Sequence, residues 1–164
     1  MIILPDPLRR ALIDTAVAAR PHECCGLLVG RTVDGTTTIV DRIAPSRNVT
    51  LGAPASSFEI DPQLRLSLMR SLRGSSEAII GHYHSHPRTT AEPSARDLSR
   101  VYEPDLVWLI IGLGSGSGPE LRAWRYDQEA AGFAPLPIAS AAPTKPSMTA
   151  HDQKPGAEPP CRRS

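Results

Sequence analysis

The chain has 164 residues, a formal net charge of +1, 40% hydrophobic and 21% charged residues. This is the profile of one soluble globular domain, long enough to bury a core without disulfide staples. With no basic block, nucleic acid is not an expected partner. Aromatic residues make up only 4%, so aliphatic side chains must build the core. The three cysteines include an adjacent pair, Cys24 and Cys25, which suggests a reducing compartment rather than a disulfide framework. The opening MIILPDPLRR is too short and too proline-broken for a signal-peptide core. No stretch has the apolar length to cross a bilayer. The expected location is therefore the cytoplasm.

In chain order, Leu8, Ala11, Leu12, Thr15, Ala16 and Ala19 form a helical stripe, with Asp6 as cap, Pro7 at the first turn and Pro21 as its end. Cys25 to Gly30 reads as a buried strand. Asp34-Gly35 signals a hairpin turn, and Thr36 to Arg42 the returning strand. Ala44 to Ser57 is rich in turn-forming residues and reads as a loop. Phe58 to Ile60 is a short candidate strand. Asp61-Pro62 then opens a helix carrying Leu64, Leu68 and Leu72 and ending near Gly74. Ala78 to Ser85 reads as a strand, and 87–93 as a loop. Ser94 starts a third helix with Leu98, Val101 and Tyr102 on one face. Leu106 to Gly112 is the most hydrophobic strand, followed by a Gly-Ser turn and an antiparallel return over Glu120 to Tyr126. From about Ala134 onward periodicity vanishes. The expected domain is 1–134, followed by a disordered Pro/Ala/Ser-rich tail over 135–164. Helices alternating with strands and hairpins imply an α/β fold with a mixed sheet.

The segment GHYHSHPRTTAEPSARD, residues 81–97, carries the chemistry. Residues two apart on a strand share a face, so His84 and His86 can converge. Asp97, on the next helix, is the natural third ligand. Two imidazoles and one carboxylate leave the fourth position of a zinc tetrahedron open, as a catalytic site requires. Alone, a His-x-His pair is weak evidence. Ser94-x-x-Asp97, alone, is a helix capping box. Joined by one short loop, the two pieces are far less easily explained by chance. A general base is also needed near the bound water. Glu23, at the mouth of the strand beginning at Cys25, is the best candidate. Glu59 and Glu92 compete, and Glu92 is expected to be exposed. His82 shares strand parity with the other histidines. Lining the cleft, donating to a ligand and a plain surface imidazole are the open roles, the last two favoured over direct ligation. Ser85, on the opposite face, is expected to make local hydrogen bonds.

These residues resemble the signature of the JAMM metalloproteases, also called MPN-plus. That signature has an upstream glutamate, then His-[Ser/Thr]-His-Pro, then a serine with an aspartate three residues later. Here they are Glu23, His84-Ser85-His86-Pro87, Ser94 and Asp97. Pro21, Cys25-Gly26-Leu27-Leu28, Gly30, Asn48 and Phe58 to Pro62 resemble the short prokaryotic branch. The resemblance spans roughly residues 5–130. It implies a cytidine-deaminase-like fold, a mixed β-sheet flanked by helices. It also implies a single zinc ion (Zn2+) on His84, His86 and Asp97. Glu23 would move the proton from the zinc-bound water to the leaving amine, and Ser94 would donate to the oxyanion.

The implied substrate is a ubiquitin-like sulfur-carrier protein, cut after its C-terminal Gly-Gly. Oligomeric state is not readable from the sequence, although dimers are common in related proteins and a homodimer stays open. Two other readings stand beside this one. One is a non-catalytic scaffold of the same fold, the other a zinc amidohydrolase for small substrates. A nucleobase deaminase does not fit, because its H-x-E and P-C-x-x-C pattern is absent.

Overall fold

The computed structural model describes residues 1–114 and 116–140. Its elements are β1 (Ile2–Ile3), α1 (Asp6–Ala19), β2 (Cys25–Val33), β3 (Thr37–Ser46), α2 (Pro62–Ser71), β4 (Ala78–His86), α3 (Ala95–Leu98), β5 (Val107–Gly112), β6 (Glu120–Asp127), β7 (Gly132–Leu136) and β8 (Ile138–Ala139). They build one mixed eight-stranded sheet in the order β7-β6-β5-β4-β2-β3-β1-β8. β4 pairs antiparallel with β2 and parallel with β5, so the histidine strand lies near the middle of the sheet.

Strand alternation divides the apolar residues between the two faces. On one face Leu28, Tyr83, Leu109 and Ile111 are sealed by Leu12 and Ala16 of α1. On the other, Cys25, Trp108, Ile110 and Trp124 pack with Phe58 and Ala91. Leu27 and Val29 meet Leu68 of α2 on that second face. Cys24 and Cys25 accordingly enter different cores, as adjacent strand residues must.

Several expectations hold in detail. Asp34 and Gly35 both have positive φ, 51° and 72°, the conformation a tight hairpin needs. Asp61 caps α2 by accepting from Gln63 N at 2.9 Å. Gly74 has φ of 76°, beyond the helix end.

Others are corrected. Pro5, not Asp6, occupies the cap of α1, and no side chain caps that helix. Asp6 instead accepts from Ser140 Oγ at 2.8 Å. β3 runs on to Ser46, because it pairs with β2 down to Cys25. Phe58 to Ile60 makes only a bridge between Ile60 and Asn48. α3 stops at Leu98. Its expected stripe has little to bury it, since Leu98 is 41% and Tyr102 84% exposed. Pro104 also disfavours helical backbone at Glu103. The expected boundary after Ala134 falls inside β7, which pairs with β6, and β8 then pairs with β1. The remainder of the expected tail, 141–164 with Cys161, lies outside the described residues.

Candidate metal centre and active site

His84 and His86 leave the same face of β4, and Asp97 reaches them from the first turn of α3. His84 Nε2 and His86 Nε2 are 3.0 Å apart. Asp97 Oδ1 is 3.3 Å from the first and its Oδ2 3.4 Å from the second. All three residues are buried. Donors held ~2.1 Å from one tetrahedral ion stand roughly 3.4 Å from each other. The three side chains therefore fit a metal ion, and they form the candidate ligand group of the described residues.

Their electrostatics agree with that role. Burial pulls the His84 imidazole below its usual range, and the neighbouring His86 adds to this against the opposing pull of Asp97. Burial also acts downward on His86. The hydrogen bond and charge of Asp97, helped by the Thr90 carbonyl, outweigh it and raise His86 overall. Burial opposes ionisation of Asp97, yet both imidazoles and Ser94 together hold its carboxyl well below the usual range. A neutral His84 beside an ionised Asp97 suits a divalent ion, whose binding would release the proton that Asp97 favours on His86.

The surroundings aim these ligands. His86 Nδ1 lies 3.1 Å from the Thr90 carbonyl, so an Nδ1–H donated there leaves Nε2 free for a metal. The loop bearing Thr90 can approach because Gly112 and Gly114 lack side chains. A Cβ on Gly112 would lie 2.3 Å from Ala91 N, and one on Gly114 2.2 Å from Arg88 O. β6 grips the same loop, with Trp124 Nε1 donating to Ala91 O at 2.9 Å. His84 is held differently. The Phe58 ring stacks on it at 4.3 Å and 16°.

Glu23 precedes β2 and is only 7% exposed. It shares a small cavity with Asp97, Ser94, Ser57, Arg96 and Arg100. Burial pushes its carboxyl up to about 7. The Asp97 charge adds to that, while His86, Arg96 and Arg100 oppose it. Its backbone is tied on both sides. Glu23 N donates to Pro54 O at 2.7 Å. Asn48 Nδ2 donates to the carbonyls of Glu23 and Ser57 at 3.1 and 2.9 Å. Asn48 Oδ1 accepts from Thr50 N and Glu59 N. Ser85 works from the other face of β4, where its hydroxyl accepts from Cys24 N at 2.9 Å. The expected local role of Ser85 is thus to pin the Glu23 segment to the histidine strand.

Ser94 forms the full capping box of α3. Its Oγ accepts from Asp97 N at 3.2 Å and donates to Asp97 Oδ2 at 2.6 Å. Of the competing carboxylates, Glu92 is exposed and pairs with Arg122, and Glu59 is exposed.

His82 takes the cavity-lining role rather than either of the two favoured ones. It is neither a surface group nor a donor to a ligand. It is partly buried against Trp108, at 4.1 Å between ring centroids, and its Nδ1 has no partner among the described residues. Burial lowers it to about 3, and the His84 charge adds to this. It floors a second cavity of ≈310 Å³, lined also by Phe58, Arg65, Arg100, Glu103 and Trp108.

A family model described as prokaryotic homologs of the JAB domain matches residues 5–127. The chain belongs to this family. Among curated relatives, the desampylase of Haloferax volcanii is 34% identical over 90 residues, 55% of this chain and 62% of the relative. The aligned part thus spans less than two thirds of that relative's length. The CysO-cysteine peptidase of Mycobacterium tuberculosis is 27% identical over 128 residues, 76% of this chain and 82% of the relative. A probable TtuB-protein conjugate cleaving protease of Thermus thermophilus is 33% identical over 81 residues, 49% of this chain and 50% of the relative. Two of these curated relatives of the JAMM-family chain are a peptidase and a protease by name. A solution structure of a Desulfitobacterium hafniense protein matches with a TM-score of 0.75 at 30% identity, covering 86% of this chain and 93% of that one. No helix among the described residues is long and apolar enough to cross a membrane.

Proposed function

We propose that this JAMM-family peptidase hydrolyses the peptide or isopeptide bond after the C-terminal Gly-Gly of a ubiquitin-like sulfur-carrier protein. The observation that carries the reading is the buried His84–His86–Asp97 group, with Glu23 lining the small cavity that Asp97 also lines. The named relatives, a CysO-cysteine peptidase and a TtuB-conjugate protease, support the substrate class. His84, His86 and Asp97 would hold one zinc ion. Bound there, zinc supplies Lewis acidity that lowers the pKa of water and polarises a carbonyl.

The chain's own groups do the rest. Glu23 takes a proton from the attacking water and hands it to the leaving amine. A carboxyl raised to about 7 can both accept and release a proton near neutrality. Ser94 donates to the oxyanion, for which its hydroxyl turns away from Asp97 Oδ2. Phe58 shields the buried imidazole of His84 from water on one face. Cys24 and Cys25 enter different cores and are not bridged, which suits a reducing, cytoplasmic setting.

The scaffold reading is disfavoured by the complete donor set, since a scaffold needs no ligands and no buried base. The test is cleavage of a ubiquitin-like carrier extended by one residue after Gly-Gly, with bound zinc quantified. Release of the carrier by wild type but not by Glu23→Gln, with zinc in both, is expected. Full zinc with no cleavage of any such carrier would overturn the substrate class and favour a small-amide hydrolase. No zinc at all would favour the scaffold.

A further inference from the structure

Arg96, in α3, and Arg100, two residues past its end, both line the cavity that contains Glu23 and Asp97. Neither forms an ion pair among the described residues; other arginines also lack one, but only these two line the Glu23 cavity. Arg100 spends one N–H on the Phe58 carbonyl at 2.6 Å, and Arg96 has no hydrogen-bond partner through its guanidinium among the described residues. Both positive charges act on the Glu23 carboxyl, so both guanidinium groups lie within electrostatic reach of the proton-carrying atoms. Arg100 and Phe58 also line the ≈310 Å³ cavity floored by His82 and Trp108. One arginine thus belongs to both spaces. A guanidinium without a carboxylate partner is a ready receptor for a planar anion.

The leaving nitrogen must come to Glu23 to be protonated. What else is near that nitrogen depends on the bond being cut. In a carrier joined to a single α-amino acid, a free carboxylate sits one carbon from the nitrogen. In an isopeptide, the nitrogen ends a lysine's four-methylene arm, and no carboxylate is close. A paired positive rim beside Glu23 suits the first arrangement and gains nothing from the second.

Building on the carrier-peptidase reading above, we infer that Arg96 and Arg100 form a carboxylate-binding subsite for the leaving group, which selects carriers conjugated to one amino acid through its α-nitrogen. The side chain of that amino acid enters the cavity over His82 and Trp108. Its apolar and aromatic floor accepts a hydrocarbon side chain, while the Arg65–Glu103 pair at 2.6 Å neutralises the charge on its rim.

The test compares two substrates, a ubiquitin-like carrier ending in Gly-Gly-Leu as the free acid and the same carrier ending in the carboxamide. They are cleaved by zinc-loaded wild type, Arg96→Gln, Arg100→Gln, the double variant and Arg100→Lys. Wild type is expected to prefer the free acid by about tenfold or more in kcat/KM, the scale of a charge-assisted hydrogen bond. The preference should fall toward parity in the double variant and be partly kept by Arg100→Lys, which retains the charge. Equal cleavage of acid and amide by wild type would overturn the subsite. So would a preference that survives in the double variant while both rates fall together, which would assign the arginines to tuning Glu23 or anchoring Phe58. Failure to cleave either substrate at full zinc occupancy would instead overturn the carrier-peptidase reading on which the subsite rests.

Discussion

The two faces of β4 show how one strand can serve opposite ends. Tyr83 points into a core sealed by α1, together with Leu28, Leu109 and Ile111, and is fully buried. Its neighbours His84 and His86 are equally hidden or nearly so, yet their surroundings are polar and specific. The α1 face is stabilised by area removed from water, roughly 25 cal/mol per Å² of apolar surface, and tolerates any side chains of the right volume. The site face is positioned by individual hydrogen bonds, donated by Asn48 and Trp124 and accepted by the Thr90 carbonyl. Packing energy is spread over many contacts, whereas aim is concentrated in a few.

That contrast can be broken most directly at the ligands. His84→Ala should lose stoichiometric metal and lower peptidase activity about a thousandfold or more, the scale of several kcal/mol of Lewis-acid stabilisation. Metal analysis beside kinetics checks it; a variant that keeps full metal content would mean the ligand set is wrong. On the opposite face, Leu109→Ala should lower unfolding free energy by about 2–5 kcal/mol. It should leave metal per folded chain unchanged. Denaturant titration with metal quantification would show whether the two faces are separable in this way.

Glu23→Gln should keep the metal and reduce kcat by about a hundredfold or more. It should also change stability in the opposite sense. The Glu23 carboxyl is raised from 4.5 to about 7, so the folded chain holds a proton that the unfolded chain releases between those values. The metal-free protein therefore loses stability as pH rises through that window, and the loss is complete above about 7. Glutamine carries no such penalty. At pH ~8 the metal-free variant should be more stable than wild type by roughly 1–3 kcal/mol. At pH ~4 the two should converge. A variant less stable than wild type at both pH values would contradict the burial of this carboxyl.

Gly112→Ala should act at a distance. The added Cβ meets Ala91 N at 2.3 Å, so the loop must shift and take the Thr90 carbonyl away from His86. A fall of about 10–100-fold in zinc affinity is expected, measured by chelator competition. Unchanged affinity would show that His86 needs no help from the loop. The smallest effect belongs to Asp61. Its hydrogen bonds to Arg47 and Gln63 hold its carboxyl below the usual range. The stability it gives is present above the ordinary carboxylate pKa and fades as pH falls through the lowered value. An acid titration of Asp61→Ala against wild type should therefore show the two drawing closer at low pH.

Much of the site was legible because its signals are local. His84-Ser85-His86 declares a shared face by parity, and Asp61-Pro62 declares a helix start by its own chemistry. What escaped depends on chain segments far apart in sequence. Nothing near His82 says that Phe58 and Trp108 will enclose it. The carbonyl of Thr90 has no side-chain signature, and its role appears only once Gly112 and Gly114 admit the loop. β8 is two residues long and has no periodicity to read, so the chain past Ala134 looked unstructured while Ile138 and Ala139 were in fact pairing with β1. α3 showed the converse error: its stripe continues past Leu98 in sequence, but of that stripe only Val101 finds a core to pack against, while Leu98 and Tyr102 stay exposed.

The closure of the sheet by β1 and β8 has a mechanical meaning. The two strands run parallel, joined where Ile2 N donates to Pro137 O and Leu4 N to Ala139 O, each at 2.9 Å. β1 is also parallel to β3 on its other side. A pull applied at residues 1 and 140 in opposite directions would load these bonds along the strands, in shear, so that they must give way together rather than unzip one by one. β4 lies four strands inward from β8. Tension on the ends of this fold would be borne first at its rim, before it reached the histidines.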